Sequence, residues 1–123
     1  MDSNRFLAIK MLMMPKDVNP LGSIFGGYIL SLIDQAAGQH ARRVAPKKYV
    51  TKVMREVNFH APVFVGDLVS FYTQTTKIGK TSVTIKVEVE AVRGVDSLTT
   101  CDVTSAEVVM VAVDDSIKPI NIL

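Results

Sequence analysis

Asn19-Pro-Leu-Gly-Ser-Ile-Phe-Gly-Gly-Tyr-Ile-Leu-Ser-Leu-Ile-Asp34, running on through Gln-Ala-Ala-Gly38 to Arg43, is the stretch that decides the fold. Its opening Asn-Pro-Leu-Gly is a turn. Behind it Phe25, Ile29, Leu32, Ile33, Ala36, Ala37, His40, Ala41 and Val44 recur at three- and four-residue spacing, the stripe of a helix buried along one side. Ser23 is the expected N-cap and Pro46 the expected stop. A second line, Gly27, Leu30 or Ser31, Asp34 and Gly38, is small or polar at the same spacing, which predicts that another backbone approaches the helix there.

Around this helix the chain reads as strands. Arg5 to Met14 is apolar and ends at Pro15, which cannot donate to a ladder. Tyr49 to Phe59 has mixed faces, and His60 to Gly66 is a connection. Leu68 to Ile78 and Ser82 to Arg93 flank a hairpin turn at Gly79-Lys80-Thr81. In the second of them Val83, Ile85, Val87, Val89 and Ala91 alternate with Thr84, Lys86, Glu88 and Glu90, as in a half-buried antiparallel strand. A turn from Gly94 to Ser97 precedes a last strand, Thr99 to Val113, apolar on both faces from Val108 onward and therefore covered; Asp114 to Leu123 is a tail. The prediction is α+β: one domain over residues 1–123, an antiparallel sheet curled around one long central helix. So small a sheet leaves edges that need partners, and two copies joined edge to edge would supply them.

Composition narrows the function. At 48% hydrophobic and 21% charged residues, the 123-residue chain is globular and apolar for its size, which suits an oligomer interface or a greasy ligand pocket. A net charge of +2 with scattered cations gives no nucleic-acid footprint. Cys101, the only cysteine, permits no intrachain disulfide and is expected to be a buried small hydrophobe. His40 and His60 lie in different elements, so no metal site is expected; His40, on the apolar stripe, reads as a satisfied core group. Residues 1–4 lack the basic start of a leader peptide, and no apolar run is long enough to span a membrane, which predicts a soluble, cytoplasmic protein with no membrane partner.

Asn19-x-x-Gly22-x-Ile24-Phe25-Gly26-Gly27, with Asp34 seven residues on, resembles the hotdog-fold acyl-CoA thioesterases, and the YciA-like bacterial enzymes in particular. Val57-x-Phe59-x-x-Pro62-Val63-x-Val65-Gly66-Asp67 and Gly79-Lys80-Thr81-Ser82-Val83 extend the resemblance from about Met11 to Val113. It implies hydrolysis of acyl-CoA to free fatty acid and CoA, with no cofactor beyond the CoA of the substrate. It also implies homodimers, often assembled as trimers of dimers, with Asn19 of one subunit facing Asp34 of the other.

In that frame Asp34 is the general base on water, or a nucleophile forming an anhydride; its structural alternative is a helix acid paired with a neighbouring cation. Gly27 lies in the first helical turn, where N–H groups have no intrahelical partner and the dipole is positive, so its N–H suits an oxyanion. Asn19 is a carbonyl or water positioner, or simply a turn residue before Pro20. Gly79, Lys80, Thr81 and Ser82 offer a cradle for CoA phosphates, with Arg55, Lys52 and the Arg42-Arg43 pair as further cations. Two other readings compete. Asp17-Val-Asn19-Pro20-Leu21 resembles the motif of hotdog enoyl-CoA hydratases, but Gly22 stands where they carry histidine. A non-catalytic acyl-CoA-binding module is the other.

Overall fold

The computed structural model describes residues 5–95 and 98–123. The reading of Met1 to Asn4 and the Asp96-Ser97 half of the predicted turn lie outside the described residues. The elements are β1 (Phe6–Leu12), a 3-10 turn (Pro15–Asp17), α1 (Gly26–Val44), β2 (Lys48–Phe59), β3 (Leu68–Ile78), β4 (Ser82–Arg93) and β5 (Thr99–Val113). The five strands form one antiparallel sheet in the order β1-β3-β4-β5-β2, and α1 packs against every strand. This is the hotdog arrangement, α+β as the periodicities predict.

The helix is held by its stripe. Ile29, Leu32, Ile33, Ala36, Ala37 and Ala41 are buried against the sheet, with Val83, Ile85, Val87, Val89 and Ala91 of β4 facing them. In β5, Val108, Met110 and Ala112 join that core while Val109, Val111 and Val113 are also buried on the opposite face. The tail does not run free. Ile120 N–H donates to Ala112 O at 2.9 Å and Ile122 N–H to Lys80 O at 3.0 Å, burying Ile122. Cys101 is half-buried at the edge of the core rather than within it, because it lies near the start of β5, opposite Ala91, where the sheet thins out.

Both ends of α1 have definite causes. Ala45, before Pro46, is extended at φ −151° and ψ 132°, the region to which a following proline confines a residue. Ser23 is not the N-cap. That position falls to Phe25, whose side chain offers no capping bond, because Ser23 is drawn into the loop by Asn19. No helix among the described residues is long and apolar enough to cross a membrane.

Candidate active site

Asn19 ties the loop that delivers the chain to α1. Its Oδ1 accepts from the N–H groups of Leu21 (2.9 Å) and Ser23 (3.2 Å), and its Nδ2 donates to Ser23 Oγ (3.0 Å). Its backbone N–H donates to Ser23 O at 2.7 Å, and Gly22, at φ 89°, returns an N–H to Asn19 O at 3.0 Å. An amide nitrogen carries two N–H bonds, so one donor of Asn19 remains for a ligand. Beyond the loop, Phe25 N–H donates to Asp17 O and Ile24 N–H to Val63 O, which fixes where the helix begins.

The N–H groups of Gly26 and Gly27 have no intrahelical acceptor, and the cap residue supplies none. Gly27 is exposed, and a Cβ there would meet only the Phe25 ring, at 3.5 Å, so a ligand has a free approach to its backbone. Gly26 differs: a Cβ there would stand 3.1 Å from the Phe59 ring, whose edge approaches the helix's first turn. Asn19 and Gly26 both line a groove of about 430 Å³ whose other walls include Ile24, Ile29, Phe59 and Val63.

Asp34 is not part of that groove. Seven residues at 1.5 Å each put it about 10 Å along the helix from Gly27. It is half-buried on the small, polar line, and its Oδ1 accepts a 2.5 Å hydrogen bond from Thr51 Oγ1 on β2. Thr51 is in turn braced 3.5 Å from Met110 Sδ, whose methyl group lies beside Gly38. No lysine or arginine among the described residues stands within ion-pair distance of Asp34. The structural alternative for this acid, a paired helix carboxylate, is therefore absent from the described residues. Thr51 escaped the sequence reading; one hydroxyl in a strand of mixed faces is a faint signal, and the ladder shifts register between Thr51 and Val53.

The phosphate-cradle residues lie elsewhere. Gly79 N–H closes the hairpin on Ser82 O at 2.7 Å, so that donor is already used, while the Lys80 side chain is exposed. Arg55 is paired with Glu107 at 2.5 Å, Lys52 is exposed, and Arg43 stacks over the Phe6 ring at 3.6 Å. Arg42, with Lys47 and Lys48, lines a second hollow of about 570 Å³ that also includes Gln35 and Gly38.

His40 is buried, with Nδ1 at 2.9 Å from Thr73 Oγ1 and Nε2 at 2.7 Å from Thr75 Oγ1. Thr73 donates its own proton to Phe6 O at 3.3 Å, so it accepts from Nδ1–H while Thr75 donates to Nε2. Desolvation, and secondarily the Arg43 charge, lowers the pKa of this ring, which stays neutral as a core group.

Residues 21–98 match the family model described as thioesterase superfamily. An uncharacterized acyl-CoA thioester hydrolase of Zymomonas mobilis is 40% identical over 116 residues, which is 94% of this chain and 76% of that one. The crystal structure of a hexameric hotdog-fold thioesterase of Campylobacter jejuni superposes with a TM-score of 0.90 at 43% identity, covering 95% of this chain and 90% of that chain. A hexameric thioesterase of Yersinia pestis superposes at 0.92 and 35% identity over 100% and 99%. The acyl-CoA thioester hydrolase YciA of Salmonella typhimurium is 39% identical over 83 residues, 68% of this chain and 62% of its own length. With α1 wrapped by an antiparallel sheet of β1 to β5 and its sequence matched at this level, the chain belongs to the thioesterase superfamily, as a hotdog-fold relative of the YciA-like acyl-CoA thioester hydrolases.

Proposed function

We propose that the protein hydrolyses acyl-CoA thioesters to the free acid and CoA, in sites each divided between two copies of the chain. The observation that carries this reading is Asp34: a carboxylate without a cationic partner among the described residues, half-buried on the small, polar helix line and held by the Thr51 hydroxyl. Oδ1 is occupied by Thr51, which orients Oδ2 toward the reacting water. The donors, Gly27 N–H and the spare Asn19 N–H, stand at the other end of the same helical line. A second copy turned about a two-fold axis brings its donors to this chain's Asp34, and its Asp34 to this chain's donors.

In each site Asp34 takes a proton from water as the water oxygen attacks the thioester carbon. The carbonyl electrons move onto oxygen, where Gly27 N–H and Asn19 Nδ2 bond the anion more strongly than the neutral carbonyl. When the C–S bond breaks, the thiolate takes the proton back from Asp34 and leaves as the thiol. A carboxylate that attacks directly would give a mixed anhydride, which water then cleaves to the same products. CoA is substrate and product here, and no other cofactor is required. Its phosphates would find cations at Lys80 in the Gly79–Ser82 turn, at Lys52 and Arg55, or at Arg42 in the hollow beside Gly38. The assembly is a homodimer joined along β2, stacked further as a trimer of dimers, and the protein acts in the cytoplasm as a single domain.

The test is release of free thiol from a series running from acetyl- to palmitoyl-CoA. The reading expects turnover with at least part of that series and its loss in Asp34→Ala at unchanged oligomeric state. No thiol from any member would refute it.

A further inference from the structure

The groove at the helix start has an uneven lining. Ile24, Ile29 and Val63 are only 2–5% exposed and are fixed by the core behind them. Phe59, the last residue of β2, is 54% exposed, and its ring is the one large apolar wall that solvent reaches freely. What holds the ring is Gly26: its edge atoms Cζ and Cε1 come to 3.1 and 3.2 Å of the place where any other residue would carry a Cβ. An exposed aromatic ring resting on a glycine contributes little to the core, yet it stands next to the N–H groups at the helix start. Asn19 lines the same groove. A volume of about 430 Å³ holds on the order of a dozen groups of water size, at roughly 30 Å³ each, which is the scale of a medium acyl chain.

We infer that this groove receives the acyl chain of the thioester and that Phe59, seated on Gly26, is the residue that sets which chain lengths fit. The inference rests on the hydrolase reading above and adds to it the place of the acyl group. Gly27 follows Gly26, the residue on which the Phe59 ring rests, so a thioester bonded at the Gly27 N–H would place its acyl carbons at the mouth of the groove that Phe59 shares with Ile24, Ile29 and Val63. Because Ile24, Ile29 and Val63 cannot yield without disturbing the core, the width of the groove depends on residue 59. Discrimination of this kind is strong per carbon, since a single methylene in an apolar pocket changes kcat/KM by about tenfold or more.

The experiment compares kcat/KM for butyryl-, octanoyl- and lauroyl-CoA in the full-length wild type, Phe59→Ala and Phe59→Trp, with thermal melts to show that each variant folds. Phe59→Ala is expected to raise the lauroyl-to-butyryl ratio by about tenfold, and Phe59→Trp to lower it. If both folded variants shift every substrate by the same factor, the ring does not read the chain and the inference fails while the hydrolase reading stands. A wild type that releases no thiol from any substrate overturns the hydrolase reading, and this inference with it.

Discussion

At the scale of single residues the proposed chemistry is concentrated on Asp34 and the hydroxyl that holds it. Asp34→Asn keeps the volume and removes the base, so kcat for thiol release is expected to fall by roughly a hundredfold to ten-thousandfold. Thr51→Val removes the 2.5 Å hydrogen bond to Asp34 together with the weak 3.5 Å contact to Met110 Sδ, at nearly unchanged side-chain volume. Thr51 positions the carboxylate, so its loss should lower kcat by about tenfold at nearly unchanged KM. Steady-state kinetics on both variants checks this; a Thr51→Val enzyme altered in KM alone would make the hydroxyl a substrate contact instead. Gly27, Asn19 and Asp34 were legible as candidates chiefly because the motif that carries them resembles that of the hotdog thioesterases; the residues alone leave each with a structural alternative. Thr51 was not legible, since its significance depends on which of two mixed faces of β2 meets the helix, and that is decided by tertiary packing and a local register shift.

Elements explain how these residues are held. The connection from β2 to β3 forms part of the groove wall, and Asp67 anchors it. Asp67 is 3% exposed, accepts from Phe64 N–H at 2.9 Å and from Arg93 Nη2 at 2.7 Å, and Arg93 also donates to Pro62 O at 3.0 Å. Asp67→Ala strands Arg93 and the Phe64 N–H, and a loss of roughly 2–4 kcal/mol in urea unfolding is expected. His40 locks α1 to β3. Its pKa is lowered in the folded protein, so below the ordinary histidine value of 6.5 the unfolded chain takes up a proton that the folded chain resists. Stability should therefore fall as the pH drops through that value, and His40→Gln should flatten the dependence when melts are compared between about pH 5 and 8. The bounds of β3, β4 and β5 agree with the periodicity, because alternation in a half-buried strand is strict. The helix start does not, since one asparagine captured the serine that would otherwise have capped it.

For the whole molecule, the sheet order leaves β1 and β2 as edges, and the small, polar line of α1 meets β2 where Asp34 accepts from Thr51. β2 carries register irregularities between Thr51 and Val53 and between Arg55 and Asn58, the second with Glu56 at φ 53°, and these interrupt its edge. The expectation of a partner came from a sheet too small to cover its helix; the strand order was not legible, because it depends on a crossover between β2 and β3 that local signals do not encode. The central claim is that one site takes its donor amide and its carboxylate from different copies. Asn19→Ala and Asp34→Ala proteins, each inactive alone, are to be dissociated together and reassembled at equal amounts. A divided site predicts recovery of about a quarter of wild-type thiol release, because half of the dimers are mixed and each mixed dimer has one intact site of two. A mixture as inactive as its components would contradict the claim and place both residues in the service of a single chain.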